Sequence, residues 1–227
     1  MGLVGRSGSG KTTLGRLLAG LPPSGAIASG TLRWPGGEAA VGAARRRGLG
    51  RRVAWLPQEG IAALHPQLSL GSQVAETLRA AGMRADAAAV AAALEEVELD
   101  AALAARLPHQ VSGGQGQRAA LACALAQQPA VLVADEPTSA LDPASGAAIL
   151  RLLDGRRRQR GMALLLITHD LAAAAFCDRI LVLEEGQVAE EGNAAALFRE
   201  PRSAVARALL AARRRFEEPP GCSARAA

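Results

Sequence analysis

The 227-residue sequence has no tyrosine, and its other aromatic residues are two tryptophans and three phenylalanines. So few rings argue against a protein that binds single-stranded nucleic acid by base stacking. The three cysteines, Cys123, Cys177 and Cys222, are widely spaced and form no C-x-x-C pair, so a reduced, cytoplasmic setting fits best. No uncharged apolar run approaches the ~20 residues of a membrane span, and we see no signal peptide.

Lysine is scarce as well, because only one of the 26 basic residues is a lysine, Lys11. The residues around it are Gly5, Arg6, Ser7, Gly8, Ser9, Gly10, Lys11 and Thr12. They fit the pattern G-x-x-x-x-G-K-[ST], in which backbone N–H groups surround a triphosphate and the lysine reaches its β and γ oxygens. The hydroxyl of Thr12 can hold Mg²⁺. The sequence therefore predicts a P-loop, and the alternative is a chance match in a chain with 25 glycines.

The flanks of this loop have the order that a phosphate site needs. Residues 1–4 predict the end of a buried strand, and residues 13–19 predict the first turns of an apolar-faced helix. The N-terminus of that helix adds free N–H groups and partial positive charge.

Strands and helices alternate along the rest of the chain. Residues 32–34 and 52–56 predict strands on either side of a Gly/Arg-rich stretch, 36–51, which we expect to be an exposed loop. Helical spacing of apolar residues predicts a helical insert over 70–107 and a further helix over 111–127.

Three later segments predict further strands. Continuous apolar runs at 130–134 and 162–167 are typical of central parallel strands. Residues 179–192 predict a hairpin. Because strands and helices alternate, we expect an α/β fold with a mostly parallel sheet wrapped by helices.

Polar residues follow these predicted strands at the end where open α/β sheets bind ligands. Asp135 can hold Mg²⁺ through water, and Glu136 can act as the general base for an attacking water. His169 follows the next strand and would point into the same crevice. Gln58 is a weaker candidate after the strand that ends at Leu56. The alternatives are solvated loop acids and a structural histidine.

A possible anion site begins the helix over 111–127. Its first residues are Ser112, Gly113, Gly114, Gln115 and Gly116. The serine can cap the helix, and the paired glycines can present free N–H groups to an anion. The alternative is an ordinary capped helix start.

These elements, in this order, resemble the ATP-binding subunit of an ABC transporter. The stretch 112–115 is similar to the signature motif of that family, and Gln58 to its Q-loop. Residues 139–142, which end at Asp142, are similar to the D-loop, and His169 to the switch histidine. The resemblance covers essentially the whole chain and implies a P-loop NTPase (RecA-like) fold with an α-helical subdomain.

The resemblance also implies ligands and a partner. It implies ATP and Mg²⁺, with Thr12, Gln58 and Asp135 at the metal and Asp142 near the nucleotide. It implies a second ATP-binding subunit in a head-to-tail dimer, in which Ser112 and Gly114 of one subunit contact the γ-phosphate held by the P-loop of its partner.

The implied domain organisation is a single ABC ATP-binding domain over residues 1–227. Its RecA-like core takes 1–60 and 119–193, its helical subdomain 61–118, and its C-terminal tail 194–227. Within the family, residues 57–66 and 201–210 resemble the oligopeptide, dipeptide and nickel importers. That branch implies an ATPase on the cytoplasmic face of the membrane that powers uptake of peptide or nickel-type substrates through permease subunits. A solute-binding protein would take part indirectly, and no nucleic acid is expected.

Three departures from the family pattern stand out. Only four residues precede Gly5, so we expect the N-terminal strands and their aromatic adenine-stacking residue to be missing, either because the start is assigned too late or because the product is truncated. Gly116 stands where a larger residue is usual, inside a helix that glycine weakens. Cys222 resembles the cysteine-bearing tails of some peptide importers, but one cysteine cannot hold an iron–sulfur cluster. An ABC-type ATPase acting on nucleic acid and a truncated, inactive relic remain the alternatives.

Overall fold

The computed structural model describes residues 1–22, 24, 29–34, 37–40 and 53–217. Contacts divide the chain into two compact units, one formed by Met1–Lys11 with Thr168–Ala227 and the other by Thr12–Ile167. The division into core, helical subdomain and tail stays a prediction. Within the described ranges, no helix is both long and apolar enough to cross a membrane.

The elements have the following bounds. The strands are β1 Gly2–Gly5, β2 Thr31–Trp34, β3 Gly37–Ala40, β4 Val53–Leu56, β5 Val131–Asp135, β6 Ala163–Ile167, β7 Arg179–Glu184 and β8 Gln187–Asn193. The α-helices are α1 Lys11–Leu18, α2 Leu70–Ala80, α3 Ala87–Glu96, α4 Gly113–Ala126, α5 Pro143–Arg160, α6 Leu171–Ala174, α7 Ala194–Arg199 and α8 Ala204–Glu217. Short 3₁₀ helices cover Gly60–Ala63, Ala101–Ala105 and Pro108–Gln110.

Parallel strands form the sheet of the unit Thr12–Ile167. β5 pairs with β4 on one side and with β6 on the other, and Asp135 lies opposite Ile167 in the second pairing. Leu132, Val133 and Ala134 are fully buried, as expected for a strand covered on both faces. The predicted parallel strands are confirmed, and their carboxyl ends lie at one edge of the sheet.

The expected loop over 36–51 is wrong at its start. Gly37–Ala40 forms β3, which pairs antiparallel with β2. Arg33 lies opposite Glu38, and Arg33 Nε donates to Glu38 Oε2 at 3.2 Å. Glycine and alanine have low strand propensity, so the pattern did not indicate a strand that depends on its partner. Residues 41–52 lie outside the described residues.

Helices α2, α3 and α4 confirm the helical prediction over 70–107 and 111–127. Ser69 caps α2 by accepting from the N–H of Ser72 at 3.2 Å. Asp86 caps α3 by accepting from the N–H of Ala89 at 2.9 Å. Side-chain oxygens at these positions satisfy N–H groups that have no partner within the helix.

An arginine at the end of α5 joins these helices. Arg160 Nη1 donates to the carbonyl of Leu125 at 2.7 Å, and Nη2 donates to Glu96 Oε2 at 2.5 Å. Because the three residues belong to α5, α4 and α3, one guanidinium holds three helix ends together.

The unit containing Met1–Lys11 is built on β1, β7 and β8. β1 pairs parallel with β7, and β7 pairs antiparallel with β8. The hairpin prediction is confirmed, and its turn residues Glu185 and Gly186 have φ of +48° and +78°. Such left-handed pairs suit the twist of a two-residue hairpin turn.

The core of this unit lies between its sheet and its last helices. Val4 of β1 and Val182 of β7 are fully buried and pack with Leu197 and Val205 of α7 and α8. Glu190 of β8 fixes the start of α8, because its carboxylate accepts from the backbone N–H groups of Arg202 and Ser203.

Candidate nucleotide-binding site

The loop after β1 needs glycine at its first position. A Cβ at Gly5 would lie 2.3 Å from the carbonyl oxygen of Leu183 and 2.7 Å from Ser9 Oγ. No side chain fits there, because the first of these atoms is backbone. The turn of the β7–β8 hairpin supports the loop, since the N–H of Gly186 donates to the carbonyl of Ser9 at 3.1 Å.

The middle of the loop has the backbone of an anion-binding turn. Gly8 and Gly10 have φ of +80° and +95°, which favours glycine. The N–H of Ser9 donates to the carbonyl of Arg6 at 3.2 Å and closes the turn. No atom lies within 4 Å of a Cβ built at Gly8, so the loop is open on that side.

Lys11 is buried at the end of this loop. Its ammonium donates to the carbonyls of Gly5 at 2.9 Å and Arg6 at 2.8 Å, and the residue is 7% exposed. Lys11 and Thr12 also begin α1, whose first N–H groups have no acceptor within the helix. The charge of the ammonium and these N–H groups therefore belong to one short segment.

A buried hydroxyl tests whether the loop fits a phosphate. Ser9 Oγ is buried and has no hydrogen-bond partner among the described residues. Buried polar groups without partners are rare in proteins. A phosphate oxygen would supply one, so the loop fits a phosphate group.

The strand-end candidates of the unit Thr12–Ile167 lie at the edge predicted for them. Asp135 ends β5 and is 4% exposed. Glu136 follows with φ +44°, and its N–H donates to the carbonyl of Ile167 at 2.8 Å. Gln58 is exposed and stands shortly after β4. A left-handed backbone is uncommon for glutamate, so the position of Glu136 is imposed by its surroundings.

His169 is exposed and follows β6 by two residues. The residue before it is fixed, since the N–H of Thr168 donates to the carbonyl of Leu3 at 3.1 Å. Thr168 Oγ1 in turn accepts from the N–H of Asp170 at 2.9 Å. The backbone on both sides of the imidazole is therefore held.

Asp142 has a structural role that the sequence interpretation did not assign. It caps α5, because Oδ1 accepts from the N–H groups of Ala144 at 3.1 Å and Ser145 at 3.0 Å. Hydrogen bonds from the side chain and backbone of Ser145, and then from Ala144, hold the pKa of Asp142 below its usual value. The carboxylate therefore stays ionised at the helix N-terminus.

Ser112 and Gln115 cap α4 reciprocally. Ser112 Oγ accepts from the N–H of Gln115 at 3.3 Å, and Gln115 Oε1 accepts from the N–H of Ser112 at 2.9 Å. This is a capping box. No atom lies within 4 Å of a Cβ built at Gly113 or Gly114, so both glycines present open backbone at the start of the helix.

Contacts between α4 and the segment after Gln58 were missed. The N–H of Gly60 donates to Gln117 Oε1 at 2.9 Å, and Ile61 lies against Gly116. No local pattern links residues so far apart in sequence. The sequence contains one indication of these contacts, which is the unexpected glycine at position 116 inside a helix.

The predicted site residues fall into both compact units. The loop Gly5–Lys11 and His169 belong to one unit, and Thr12, Gln58, residues 112–115, residues 135–136 and Asp142 belong to the other. Each group has geometry suited to its predicted part. Assembly of all of them into one site stays a prediction.

Comparison with curated proteins finds relatives over most of the sequence. A protein of Brucella abortus (strain 2308), provisionally named a peptide import ATP-binding protein, is 42% identical over 216 residues, which are 92% of this chain and 64% of the relative. A Brucella ovis protein with the same provisional name is 38% identical over 218 residues, covering 93% of this chain and 68% of the relative. The chain thus spans somewhat less than two thirds of the length of the first relative.

Solved structures and a family pattern agree with these relatives. The dimeric ATP-binding cassette MJ0796, in a post-hydrolysis state with ADP and Pi, is 28% identical with a TM-score of 0.71, over 85% of this chain and 84% of that chain. The protein cbiO1 of Clostridium perfringens, part of the ABC transporter complex cbiONQ, is 26% identical with a TM-score of 0.70, over 88% and 78%. The sequence pattern described as ABC transporter matches residues 1–139, more than half of the chain, and the chain therefore belongs to the ABC transporter family.

Proposed function

We propose that this chain is the ATP-hydrolysing subunit of an importer that takes up peptides. The observation that carries the proposal is the phosphate loop, with its left-handed glycines, its buried Lys11 and the buried hydroxyl of Ser9, which has no hydrogen-bond partner among the described residues. The named role of the Brucella relatives in peptide import supports the cargo class. A nickel-type cargo is the alternative within the same branch.

The loop would bind the β and γ phosphates of ATP. Backbone N–H groups at Gly8 and Gly10 and the start of α1 would surround the phosphate oxygens, and the Lys11 ammonium would neutralise charge. Thr12, Gln58 and Asp135 would hold Mg²⁺. When bound, Mg²⁺ neutralises charge that develops on the transferred phosphoryl group.

Glu136 would accept the proton of the attacking water. Its strained backbone supports this role, because residues held in sparsely populated conformations cluster at functional sites. Glu136 follows β5 directly, and the bond from its N–H to the carbonyl of Ile167 fixes its backbone. The exposed imidazole of His169 would contact the γ-phosphate that Glu136 helps to hydrolyse.

Hydrolysis would require two subunits. The first N–H groups of α4, at Gly113 and Gly114, have no acceptor within the helix. With the hydroxyl of Ser112 they suit an anion presented from outside the subunit, because both glycines face open space. The dimer described for the related cassette MJ0796 supports this arrangement. Asp142 would lie near the same subunit boundary, with its carboxylate engaged as the α5 cap.

Permease subunits would contact the region beyond Gln58. A cavity of about 630 Å³ lies between the residues that follow the 3₁₀ helix Gly60–Ala63 and one face of α2, and its lining includes Leu64, His65, Leu68 and Thr77. An amphipathic helix can bind by placing its apolar face in a hydrophobic groove, so this cavity suits an inserted helix. The subunit would then work at the cytoplasmic face of the membrane, with a solute-binding protein delivering cargo to the permease.

Replacing Glu136 with glutamine tests the chemistry. The Glu136→Gln variant should bind ATP as the unchanged chain does and lose turnover, because only the proton acceptor is removed. Glu185→Gln is the matched control, since Glu185 also has a left-handed backbone but lies in the β7–β8 turn. Binding of a fluorescent ATP analogue and phosphate release measure the two steps. Full turnover by Glu136→Gln would remove Glu136 from the mechanism.

Reconstitution tests the cargo. The chain, combined with its permease and solute-binding partners in vesicles, should take up labelled peptide in an ATP-dependent way. Uptake of Ni²⁺ with no uptake of peptide would overturn the peptide assignment while leaving the ATPase intact.

A further inference from the structure

The segment after Gln58 packs closely against helix α4 at two glycines, Gly60 and Gly116. The buried N–H of Gly60 donates to Gln117 Oε1 at 2.9 Å. A Cβ at Gly60 would lie 2.4 Å from that oxygen and 3.0 Å from the Cβ of Ala120. A larger residue at this position would therefore break the hydrogen bond.

Gly116 supplies the second contact. A Cβ built there would lie 2.6 Å from Ile61 Cδ1 and 2.9 Å from Ile61 Cβ. Rotation of the side chain can move Cδ1 but not Cβ, which is fixed to the backbone. Any residue larger than glycine must therefore displace the segment that carries Ile61. We call these two interactions, Gly60 with Gln117 and Ile61 with Gly116, the α4 contact.

The α4 contact lies close to two proposed functional groups. Ile61 follows Gln58 by three residues, and Gly116 lies one helical turn after the capping residue Ser112. The N–H of Gly116 donates to the carbonyl of Ser112 at 2.9 Å. A short segment and the first turn of a helix are thus joined side by side.

We infer that Gly116 is a positioning residue, which makes the segment of Gln58 and the Ser112 end of α4 move as one body. The inference rests on the proposed function, in which Gln58 serves the site of its own subunit and Ser112 serves the site of the partner. The α4 contact then links the two sites of a dimer. Losing it misplaces both groups while the phosphate loop stays as it was.

If Gly116 had no packing role in the helix, the opposite result would be expected. Glycine lowers helix stability relative to alanine, so Gly116→Ala would then be neutral or stabilising. Gly155 provides that case within the same chain, because it lies inside α5 with no atom within 4 Å of a Cβ. Gly155→Ala is therefore the matched control.

The experiment compares Gly116→Ala, Ile61→Gly, the double variant and Gly155→Ala in the full 227-residue chain. Hydrogen exchange of peptides over 57–64 reports the α4 contact without nucleotide. We expect exchange at Gly60 to be at least about fivefold faster in Gly116→Ala. Removing the whole Ile61 side chain, including its Cβ, should return exchange to the rate of Ile61→Gly alone, because the new methyl group then has room.

Kinetics report the positioning role. Turnover at saturating ATP should fall on the order of tenfold in Gly116→Ala, since small misplacements of reacting groups are costly. The Kd for ATP should stay within about twofold, because the phosphate loop belongs to the other compact unit. The double variant should regain turnover, and Gly155→Ala should change neither quantity.

Three results would overturn the inference. Unchanged exchange at Gly60 in Gly116→Ala would show that the α4 contact does not depend on the glycine. Faster exchange with unchanged turnover would show that the contact does not position the site. Failure of the double variant to recover would point to a general loss of structure. If the unchanged chain shows no hydrolysis, the proposed function fails, and the exchange measurement separately decides whether the contact exists.

Discussion

Replacing Gly15 with alanine should destabilise the protein, although alanine is the better helix former. A Cβ at Gly15 in α1 would lie 2.5 Å from Ile167 Cδ1, 2.7 Å from Trp55 Cζ3 and 3.2 Å from Val133 Cγ1. The isoleucine methyl can rotate away, but the indole ring is rigid, so the helix must move. Overpacking costs about 1–3 kcal/mol and helix propensity offsets about 1 kcal/mol, which leaves a net loss of roughly 1 kcal/mol.

Gly155→Ala in α5 is the control of opposite sign. No atom lies within 4 Å of its Cβ, so the free energy of unfolding should rise by about 0.5–1 kcal/mol. The two variants should then differ by roughly 2 kcal/mol, or about 4–8 °C in Tm for a chain of this length. Thermal unfolding followed by circular dichroism without nucleotide measures the difference. Equal Tm values would refute the claim that α1 packs closely on the sheet because residue 15 has no side chain.

The affinity for ATP provides a second measurement of the effect of Gly15→Ala. Lys11 and Thr12 begin α1, so a displaced helix should also bind ATP more weakly. Gly155→Ala should bind ATP as the unchanged chain does. Loss of stability without loss of affinity would show that the start of α1 stays in place when its middle moves.

Three further predictions concern residues that are not part of the loop. Arg160→Ala should cost about 1.5–3 kcal/mol in urea unfolding, because a charged hydrogen bond to Leu125 is lost, whereas Arg158→Ala, which removes an exposed ion pair with Asp154, should cost under about 1 kcal/mol. Partial desolvation raises the pKa of Glu190, but hydrogen bonds from the N–H groups of Ser203 and Arg202 outweigh it and lower that pKa overall. The carboxylate of Glu190 should therefore keep α8 attached at pH values above the usual pKa of glutamate. The attachment should weaken as the pH falls through the lowered pKa of Glu190. Amide exchange in α8 should show this pH dependence, and the Glu190→Gln variant should not. Burial raises the pKa of Cys123 to about 11, so alkylation at pH 8 should be slow, and rapid labelling of that thiol would contradict its buried environment.

Much of the sheet could be predicted because its strands depend on local sequence. The apolar residues before Asp135 indicate a buried parallel strand wherever they occur, and the placement of the two carboxylates follows from that. β3 could not be predicted, because Gly37–Ala40 becomes a strand only through its pairing with β2. Strand formation of that kind depends on the partner more than on the residues themselves.

The sequence predicted the residues of the candidate site but not the long-range contacts that hold them in place. The loop pattern identifies Lys11, but nothing near it indicates that Gly186 would donate to Ser9. The sequence showed that Gly116 lowers the stability of its helix, because that effect depends only on the residue and its helix. It did not show that Gly116 makes room for Ile61, because that contact joins residues far apart in sequence. Long-range packing of this kind requires the folded structure.

The support of the phosphate loop by the β7–β8 turn has a consequence for synthesis of the protein. The loop follows β1, whereas the N–H that fixes Ser9 comes from Gly186, far along the sequence, and β1 pairs with β7. Contacts of such long sequence separation form slowly and late. Gly186 must leave the ribosome before the loop has its final shape, so nascent chains should gain affinity for nucleotide only after the β7–β8 hairpin has emerged.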